Sequence, residues 1–483
     1  MGNAEAETLL VLPTAEEDGN LRDRIAKELQ LVFRIAVPGI IIRLTSFFCI
    51  VVTQMFIGHF NSVILAAYAI EQTVVLRFIN GIMIGMSSAT ETLCGQAFGA
   101  GQHHMLGIYL QRTWIVNFVT VTICMPLFVF SKQILFGIGQ EATVAEASSV
   151  LSLWFIPLSY SYMFNMSCQM YLQSQMKNQI IGWISAPALF VHVLLSFLLV
   201  EKFQLGLTGA MIPLIVSNWT VVVGELAYIF GGKCPNTWKG FDKAAFAQLW
   251  PVVKLSVSSG MMICLQVWTN AILVLLAGYM PDAYVKISAF SICLNINGLQ
   301  IMLCLGFLAA ASVRVSNELG SGNARATTFA IKVILSVSSI VGIVSFVLSL
   351  AFNEQIASLF TSDNDVVVAI TDLSVPLSFS MLLNSIQAVL NGIAVGSGIQ
   401  STVAVVNLGS YYVVGLPIGI FLSFFTSLKI TGLWVGLLSG VVMQITFLSI
   451  VLWRTDWETM VEKASTRTHQ WSNPSEENER RAA

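Results

Sequence analysis

The sequence predicts an all-α integral membrane protein whose twelve transmembrane helices form two lobes of six helices each. Three observations support this fold class: an apolar composition, the number of apolar runs and an internal repeat. Hydrophobic residues make up 55% of the chain and charged residues 10%, with a mean hydropathy of +0.77. Soluble domains carry about 25% charged residues. A chain with so few charges is expected to lie in a lipid bilayer.

Twelve apolar runs are long enough to cross the hydrocarbon core, which takes about 20 helical residues. Lipid cannot bond to free backbone groups, so each run is expected to be helical. The first six runs cover residues 31–57, 64–88, 113–130, 147–172, 180–200 and 210–230. The second six cover residues 252–277, 288–313, 330–352, 373–395, 403–425 and 432–453. The predicted domains are an N-terminal tail (1–30), an N-lobe (31–232), a linker (233–251), a C-lobe (252–453) and a C-terminal tail (454–483).

One nine-residue pattern occurs twice, as PLSYSYMFN at 157–165 and PLSFSMLLN at 376–384. Two further pairs keep nearly the same offset: LTG at 207–209 with ITG at 430–432, and QAFGAG at 96–101 with NELGSG at 317–322. A repeat of this length is a duplicated domain, far longer than solenoid units of roughly 20–50 residues. Each copy has an even number of spans, so both copies have the same orientation. Parallel repeats of this kind enclose a cavity near the membrane midplane and predict an alternating-access carrier.

The distribution of basic residues predicts the orientation of the chain. With a cytosolic N-terminus, 18 of the 24 Lys and Arg residues lie in cytosolic segments and four lie on the opposite side. The other two, Arg43 and Arg77, fall inside spans. Cytosolic loops are enriched in Lys and Arg. Both termini are therefore expected to face the cytosol.

Two segments outside the spans carry recognisable patterns. Residues 5–10 (EAETLL) fit an acidic dileucine sorting signal. In the linker, Trp238, Phe241, Phe246 and Trp250 alternate with basic residues. Aromatic and basic residues in such alternation predict an amphipathic segment at the membrane interface.

Few ionisable residues lie inside the spans. Arg43 lies in the first span, Glu71, Arg77 and Glu91 in or near the second, and Glu225 near the end of the sixth, from which it can reach the interface. Such groups cost several kcal/mol in hydrocarbon and are functional candidates by default. Six helical positions correspond to about 600°, so Glu71 and Arg77 do not share a face. Glu71 is expected to meet Arg43 or cavity water, either as a proton or substrate site or as a structural ion pair.

Neutral polar residues form stripes on several spans. Their helical spacing places them on one face, which in lipid is expected to point inward. They indicate a cavity lining, or interhelical hydrogen bonds at around 0.6 kcal/mol per contact. In the tenth span the stripe is Ser380, Asn384, Gln387 and Asn391, and in the fourth it is Ser161, Asn165, Cys168 and Gln169. Shorter pairs are Gln266 with Asn270 in the seventh span and Asn297 with Gln300 in the eighth, which with Asn384 predict a neutral amide cluster.

Three long segments resemble the plant branch of the multidrug and toxic compound extrusion (MATE) transporters, the DETOXIFICATION proteins. They are GMSSATETLCGQAFGAGQHHMLGIYLQR (85–112), ICLNINGLQIMLCLGFLAAASVRVSNELGSGN (292–323) and LLNSIQAVLNGIAVGSGIQ (382–400). The resemblance implies the two-lobe, twelve-helix MATE fold. It also implies antiport, typically proton-driven, of xenobiotics, flavonoids, alkaloids or organic acids across the vacuolar or plasma membrane, of which we expect the vacuolar membrane. Some plant relatives are associated with anion movement.

The chain departs from this family at its usual acidic positions. Plant members commonly carry Glu where this chain has Gln266, many carry Glu at Gln300, and some carry Asp at Asn384. Thr53 occupies a position where bacterial relatives often have Asp. Amides do not change charge near neutral pH, whereas proton coupling needs a group that does.

Two functions therefore stay open. In the first, the chain is a carrier for a small organic solute, coupled to protons through Glu71 or Glu91. In the second, it is a facilitator or anion channel on the same fold, with Arg43 and Arg77 attracting the anion. The five histidines form no metal or catalytic spacing with buried acids. We expect no enzymatic activity, cofactor, metal or nucleic-acid partner, and function as a monomer in the bilayer.

Overall fold

The computed structural model describes residues 20–60, 62–137, 139, 142–278, 283–360 and 364–472, and all regular secondary structure in these ranges is helical. The dileucine pattern at 5–10 lies outside the described residues. We number the α-helices in chain order.

The predicted N-lobe contains eight α-helices, several of which continue as short π-helical segments. They are α1 (Leu21–Phe60), α2 (Ser62–Ile70), α3 (Arg77–Gly99), α4 (His103–Val129), α5 (Ser131–Gly137), α6 (Ala142–Ser174), α7 (Asn178–Ser196) and α8 (Gly206–Tyr228). The π-helical segments are Glu71–Leu76 between α2 and α3, Phe197–Lys202 after α7 and Ile229–Lys233 after α8. The linker contains one 3₁₀ turn, Lys243–Phe246. Phe241, Phe246 and Trp250 are exposed there, while the placement of the linker at a membrane interface stays a prediction.

The C-terminal half contains ten α-helices. They are α9 (Leu249–Gly278), α10 (Ala283–Gly320), α11 (Ala324–Ala351), α12 (Asn353–Ser358), α13 (Asn364–Asp372), α14 (Ser374–Ser397), α15 (Gln400–Asn407), α16 (Leu416–Phe424), α17 (Lys429–Arg454) and α18 (Trp457–Ser472). A π-helical segment, Leu408–Gly415, joins α15 to α16.

Eleven helical segments in the described ranges are long and apolar enough to cross a membrane. The predicted second span, residues 64–88, is not among them. It falls on α2 and α3, where a π-helical segment divides the apolar run and Glu71, Arg77 and Glu91 add charge. Several helices exceed their apolar runs: α1 begins at Leu21, inside the predicted tail. Apolar runs mark the hydrocarbon core, whereas helical hydrogen bonding continues into the polar interface.

The two repeats use the same turn after their second span. Gly101, after α3, has φ +73°, and Gly322, after α10, has φ +82°. These glycines are 221 positions apart. Glycine adopts a positive φ without steric cost, which explains why both copies of the QAFGAG and NELGSG motif keep it.

The contact surface between the lobes, which we call the seam, has two-fold related packing. Helix α3 packs on α9, and its repeat mate α10 packs on α1, while α3 and α10 also pack on each other. A Cβ added to Gly85 would lie 2.4 Å from the Gly260 Cα, and one added to Gly306 would lie 2.7 Å from the Ala36 carbonyl oxygen. Gly85 and Gly306 are again 221 positions apart. Both copies thus need glycine where backbones meet.

The buried apolar side chains form three clusters. One fills the N-lobe and contains side chains from the series of helices α1 to α8. Another lies in the C-lobe among α10, α13, α14 and α17. The third crosses the seam and joins α1 to α10, α14 and α18. Hydrophobic packing therefore connects the lobes at the side where α1 begins and α17 ends, which we call the tail side.

Candidate solute and ion pathway

The seam is closed at the tail side by direct contacts between the ends of α3, α10 and α14. Thr92 donates a hydrogen bond to the Val395 carbonyl at 2.6 Å, and the Gln96 amide donates to the Gly396 carbonyl at 3.1 Å. A Cβ on Gly320 would lie 2.1 Å from the Gln96 carbonyl oxygen. Backbone therefore meets backbone across the seam at this side.

A buried ion pair also joins the lobes at the tail side. Arg314 on α10 donates two hydrogen bonds to Glu28 on α1, at 2.8 and 2.9 Å, and a third to Glu318 at 2.6 Å. The Arg314 and Glu28 side chains are 7% and 8% exposed. Bidentate bonds between guanidinium and carboxylate are among the strongest hydrogen bonds in proteins. The sequence interpretation missed this pair because it placed Glu28 in the predicted N-terminal tail, outside the helices.

The C-terminal helix α18 crosses the same seam. It packs on α3 of the N-lobe and on α10 and α11 of the C-lobe. Its Arg467 donates a hydrogen bond to the Gln96 side-chain oxygen at 3.0 Å. Burial lowers the pKa of Arg467 from its ordinary value. The predicted C-terminal tail thus contains a helix that contacts both lobes.

The C-lobe interior contains a network of amides bonded to one another. Gln444 on α17 donates to Asn391 at 3.2 Å and to Asn407 at 2.7 Å, while its oxygen accepts from Tyr411 at 2.5 Å and from Gln387. Asn391 in turn donates to Gln266 on α9 at 3.4 Å. The network connects four transmembrane segments. Sequence reasoning found Gln266, Gln387 and Asn391 but missed Asn407, Tyr411 and Gln444. Each of the missed residues is a polar residue within an apolar run, and that is the signal that could have indicated it.

The remaining C-lobe candidates form a second cluster. Asn384 donates to Asn297 at 3.0 Å. Gln300 donates to Ser385 and to the Met381 carbonyl, both at 2.9 Å. Ser380 accepts from the Trp434 indole at 2.6 Å. The side chain of Asn270 lies outside the described residues. The expected single amide cluster is therefore divided, with Gln266 in one group and Asn297, Gln300 and Asn384 in the other.

Burial separates the two interpretations of the tenth-span stripe. Ser380, Gln387 and Asn391 are buried and bonded to neighbouring helices, as interhelical contacts require. Asn384, between them on the same helix, is half-buried. Among the stripe residues, Asn384 is the one whose exposure suits a cavity lining.

The N-lobe interior differs from the amide network, because its buried polar atoms without a hydrogen-bond partner among the described residues include carboxylate oxygens. Examples of such atoms are both oxygens of Glu225, together with the neutral Asn165 oxygen and Gln169 amide nitrogen. Glu225 is 0% exposed and is therefore enclosed by the protein. Its helix continues into the π-helical segment Ile229–Lys233, which keeps Glu225 inside the lobe beside Cys168.

The charged candidates pair differently from the expectation. Glu91, 1% exposed, accepts a hydrogen bond from Gln173 at 2.6 Å and interacts electrostatically with Arg43. Arg43 also donates to the Gly39 carbonyl at 3.0 Å. The expected contact between Glu71 and Arg43 is wrong: α1 and α3 bring Arg43 to Glu91, one span-length away from Glu71 in the sequence.

Glu71 and Arg77 have distinct surroundings. Glu71 is fully buried near the Ser131 hydroxyl, yet neither carboxylate oxygen has a partner with hydrogen-bond geometry in the described structure. Arg77 is exposed, one helical turn from Gly81, whose nearest neighbours are Cys264 and Val267 on α9. Arg77 therefore lies on the side of α3 that faces the seam.

Known proteins match this chain along nearly its whole length. The MatE family model matches residues 38–198 and 259–421, two segments whose starts are again 221 positions apart. "Protein DETOXIFICATION 24" of Arabidopsis thaliana is 48% identical over 95% of this chain and 92% of its own length. "Protein DETOXIFICATION 21" of the same plant is 46% identical over 98% of this chain and 97% of its own length.

Solved structures match the fold. The crystal structure of the eukaryotic MATE transporter AtDTX14 has 30% sequence identity and a TM-score of 0.87, covering 92% of this chain and 99% of that chain. A MATE structure in the bent conformation gives a TM-score of 0.76 at 15% identity, over 92% of this chain and 97% of that chain, and shows the fold alone. These matches confirm the twelve-helix, two-lobe fold and the resemblance to plant relatives. The chain belongs to the MATE family of membrane transporters.

Proposed function

We propose that this protein is a secondary active carrier that exchanges a small organic solute for protons by alternating access. The observation that carries the proposal is the two-fold related seam, closed at the tail side. Carriers built from parallel repeats expose one central site to each side in turn as their lobes rock.

Proton coupling in this proposal depends on the N-lobe. The C-lobe amides cannot change charge near neutral pH. Glu71, Glu91 and Glu225 are buried carboxyl groups inside the lobe that can. A buried carboxylate without a partner is costly as an anion, so a change in hydration during rocking changes its tendency to hold a proton. Of the three, Glu91 lies at the seam, and Glu71 and Glu225 lack partners in the described structure.

The finer points of the proposal are the substrate class and the membrane. The names of the DETOXIFICATION relatives favour toxic organic compounds as substrates. We propose xenobiotics, flavonoids or alkaloids as the substrate class. The basic-residue distribution favours cytosolic termini, which would place the tail side in the cytosol. We propose the vacuolar membrane as the location, with the monomer as the working unit.

Reconstitution of the full-length chain into proteoliposomes tests this function. With ethidium as a fluorescent organic cation, an imposed pH gradient is expected to accelerate uptake, and a protonophore is expected to abolish the acceleration. Glu91→Gln is expected to reduce the response to the gradient, whereas Glu201→Gln, an exposed acid of the same lobe, is expected to leave it unchanged. Uptake that ignores the gradient in the wild type contradicts the antiport proposal.

An anion conductance is the second candidate, and Arg77 favours it. Arg77 is exposed on the seam side of α3, whereas Arg43 interacts with Glu91 and is therefore a weaker attractor. Patch-clamp recording of membranes carrying the wild type and Arg77→Ala tests this candidate. Equal anion currents in both would remove Arg77 from the mechanism.

A further inference from the structure

His192 lies at the centre of the N-lobe, on α7, and is 0% exposed. Its Nε2 atom lies 3.2 Å from the Thr53 hydroxyl on α1, and its Nδ1 atom lies 3.4 Å from the Ser217 hydroxyl on α8. Two different helices thus contact the two ring nitrogens. This arrangement fixes the ring plane and gives each nitrogen one hydroxyl partner.

Both hydroxyl partners have a second hydrogen-bond acceptor in their own helix. Thr53 lies 3.0 Å from the Cys49 carbonyl, and Ser217 lies 3.1 Å from the Leu214 carbonyl, each with donor geometry. A hydroxyl carries one proton and two lone pairs. When each proton points at its helix carbonyl, both hydroxyls present lone pairs to His192. An imidazolium, which donates from both nitrogens, matches that arrangement.

The neutral ring can also be accommodated. It has one donor nitrogen and one acceptor nitrogen, so one of the two hydroxyls must turn its proton from the helix carbonyl towards the ring. The ring therefore has hydrogen-bond partners in both protonation states, and the two states differ by the rotation of one hydroxyl. A buried polar group usually fits one protonation state only, because the other leaves an atom unpaired.

The neighbours of His192 are weakly acidic groups. The titratable side chains beside the cluster are the Cys49 thiol on α1, the Tyr68 hydroxyl on α2 and the Tyr162 hydroxyl on α6. Helix α8 contributes Ser217 and the Pro213 carbonyl. In the described part of the chain, no carboxylate or guanidinium is recorded as a partner of the ring. Protonation of His192 therefore changes the net charge of the cluster.

We propose that His192 is a proton-binding site of the N-lobe that loads and releases the coupled proton during transport. This inference rests on the proton antiport proposed above and adds a charge-changing group to the buried carboxyl groups of the N-lobe. On loading, a proton binds the acceptor nitrogen, and the hydroxyl that donated to that nitrogen returns its proton to the helix carbonyl. Release reverses both movements. Imidazole is the side chain whose charge ordinarily changes between about pH 5 and 8. Such a group suits the N-lobe, because the C-lobe carries only amides at the family's acidic positions.

Transport by the full-length protein in proteoliposomes tests the assignment, with ethidium as the probe. His192→Gln is expected to lose acceleration by a pH gradient while keeping ethidium exchange down its own gradient. His59→Gln, an exposed histidine on α1 that bonds the Met55 carbonyl, is the matched control and is expected to behave as the wild type. If His192→Gln responds to the gradient like the wild type, the His192 assignment is wrong while antiport stands. If the wild type itself ignores the gradient, antiport and the assignment both fall.

The protonation state of the ring gives a readout independent of transport. We expect ¹⁵N spectra of the histidine-labelled protein in nanodiscs to contain one ring, absent from His192→Gln, that changes from doubly protonated to neutral within about pH 5 to 8. Ser217→Ala and Thr53→Val, which keep the histidine, are each expected to shift the midpoint of that titration. A ring that stays neutral throughout this range, or a midpoint unmoved by both variants, overturns the proposal.

Discussion

The interiors of the two lobes differ in chemistry although their backbones are copies of each other. In the C-lobe, buried amides donate and accept among themselves, with Gln444 at the centre. In the N-lobe, the buried polar groups include the carboxyl groups of Glu71, Glu91 and Glu225, and Glu71 and Glu225 lack partners among the described residues. The seam, by contrast, keeps the same glycines in both copies. The two copies thus keep the glycines of the seam, whereas their interiors differ.

The difference between the two interiors bears on the free energy of burying polar groups. Buried polar groups in folded proteins are nearly always hydrogen-bonded, and the amides around Gln444 in the C-lobe follow this rule. Unpartnered buried carboxyl groups cost free energy, and natural proteins break such local rules mainly at functional sites. We therefore propose a structural role for the C-lobe network and a coupling role for the N-lobe groups.

The largest expected effect comes from adding a Cβ atom at the two positions where the seam is tightest. Gly85→Ala and Gly306→Ala place a Cβ within 2.4 and 2.5 Å of atoms across the seam and are expected to cost about 3 kcal/mol or more of stability. The partner glycines have room: a Cβ on Gly260 has no neighbour closer than 3.8 Å, and one on Gly39 lies 3.3 Å from the flexible Arg43 side chain and 3.7 Å from the Gly306 Cα. Thermal unfolding in detergent is the measurement. Equal losses for Gly85→Ala and Gly260→Ala would contradict this view of the seam.

Removing the centre of the C-lobe network should have the next largest effect. Gln444→Leu leaves Asn391, Asn407, Gln387 and Tyr411 with lost partners. At about 0.6 kcal/mol for each interhelical bond in a membrane, four bonds correspond to about 2–3 kcal/mol. We expect a clear fall in Tm without loss of expression. The control is Gln54→Leu, an exposed glutamine of α1, which should leave Tm unchanged.

The Glu28–Arg314 ion pair makes the seam itself asymmetric, because the positions 221 residues away are Leu249 and Leu93. Glu28→Gln removes a charge-assisted bond between the lobes and is expected to cost about 2 kcal/mol and to populate a state open at the tail side. Double electron–electron resonance between spin labels at Arg22 and Lys332 measures the opening.

Glu318→Gln is the matched control for that experiment. It removes the other carboxylate of Arg314, but this pair lies within α10 and does not cross the seam. The spin-label distance is expected to stay as in the wild type. If both variants open the tail side equally, the charge of Arg314, and not its bond to Glu28, holds the lobes together.

The smallest effect is expected in the N-lobe interior. Glu225→Gln replaces a carboxyl group that has no partner in the described structure by a neutral group of similar shape, so no bond is lost. We expect Tm to stay level or rise, by no more than about 1 kcal/mol of stability. A fall as large as that of Gln444→Leu would show that Glu225 belongs to a bonded network and would remove the contrast between the lobes.

The sequence indicated several features that depend on local or repeated patterns. Apolar runs predicted the helices, because lipid forces each span to satisfy its own backbone. The offset between repeated motifs predicted two lobes, and the long motifs predicted the family. The inward stripe of the tenth span was also visible, since helical spacing alone places Ser380, Asn384 and Gln387 on one face.

The meeting of particular side chains was decided by tertiary structure alone. Glu28 and Arg314 are 286 positions apart, and Gln387 and Gln444 are 57 apart. Arg43 meets Glu91 and not Glu71, and His192 meets Thr53 and Ser217, because the rotation and depth of each helix in the bundle select its partners. Hydrophobicity fixes that a helix crosses the membrane and which face turns inward. It does not fix the height at which two inward faces meet, and hydrogen bonds and ion pairs depend on that height to within a fraction of a helical turn.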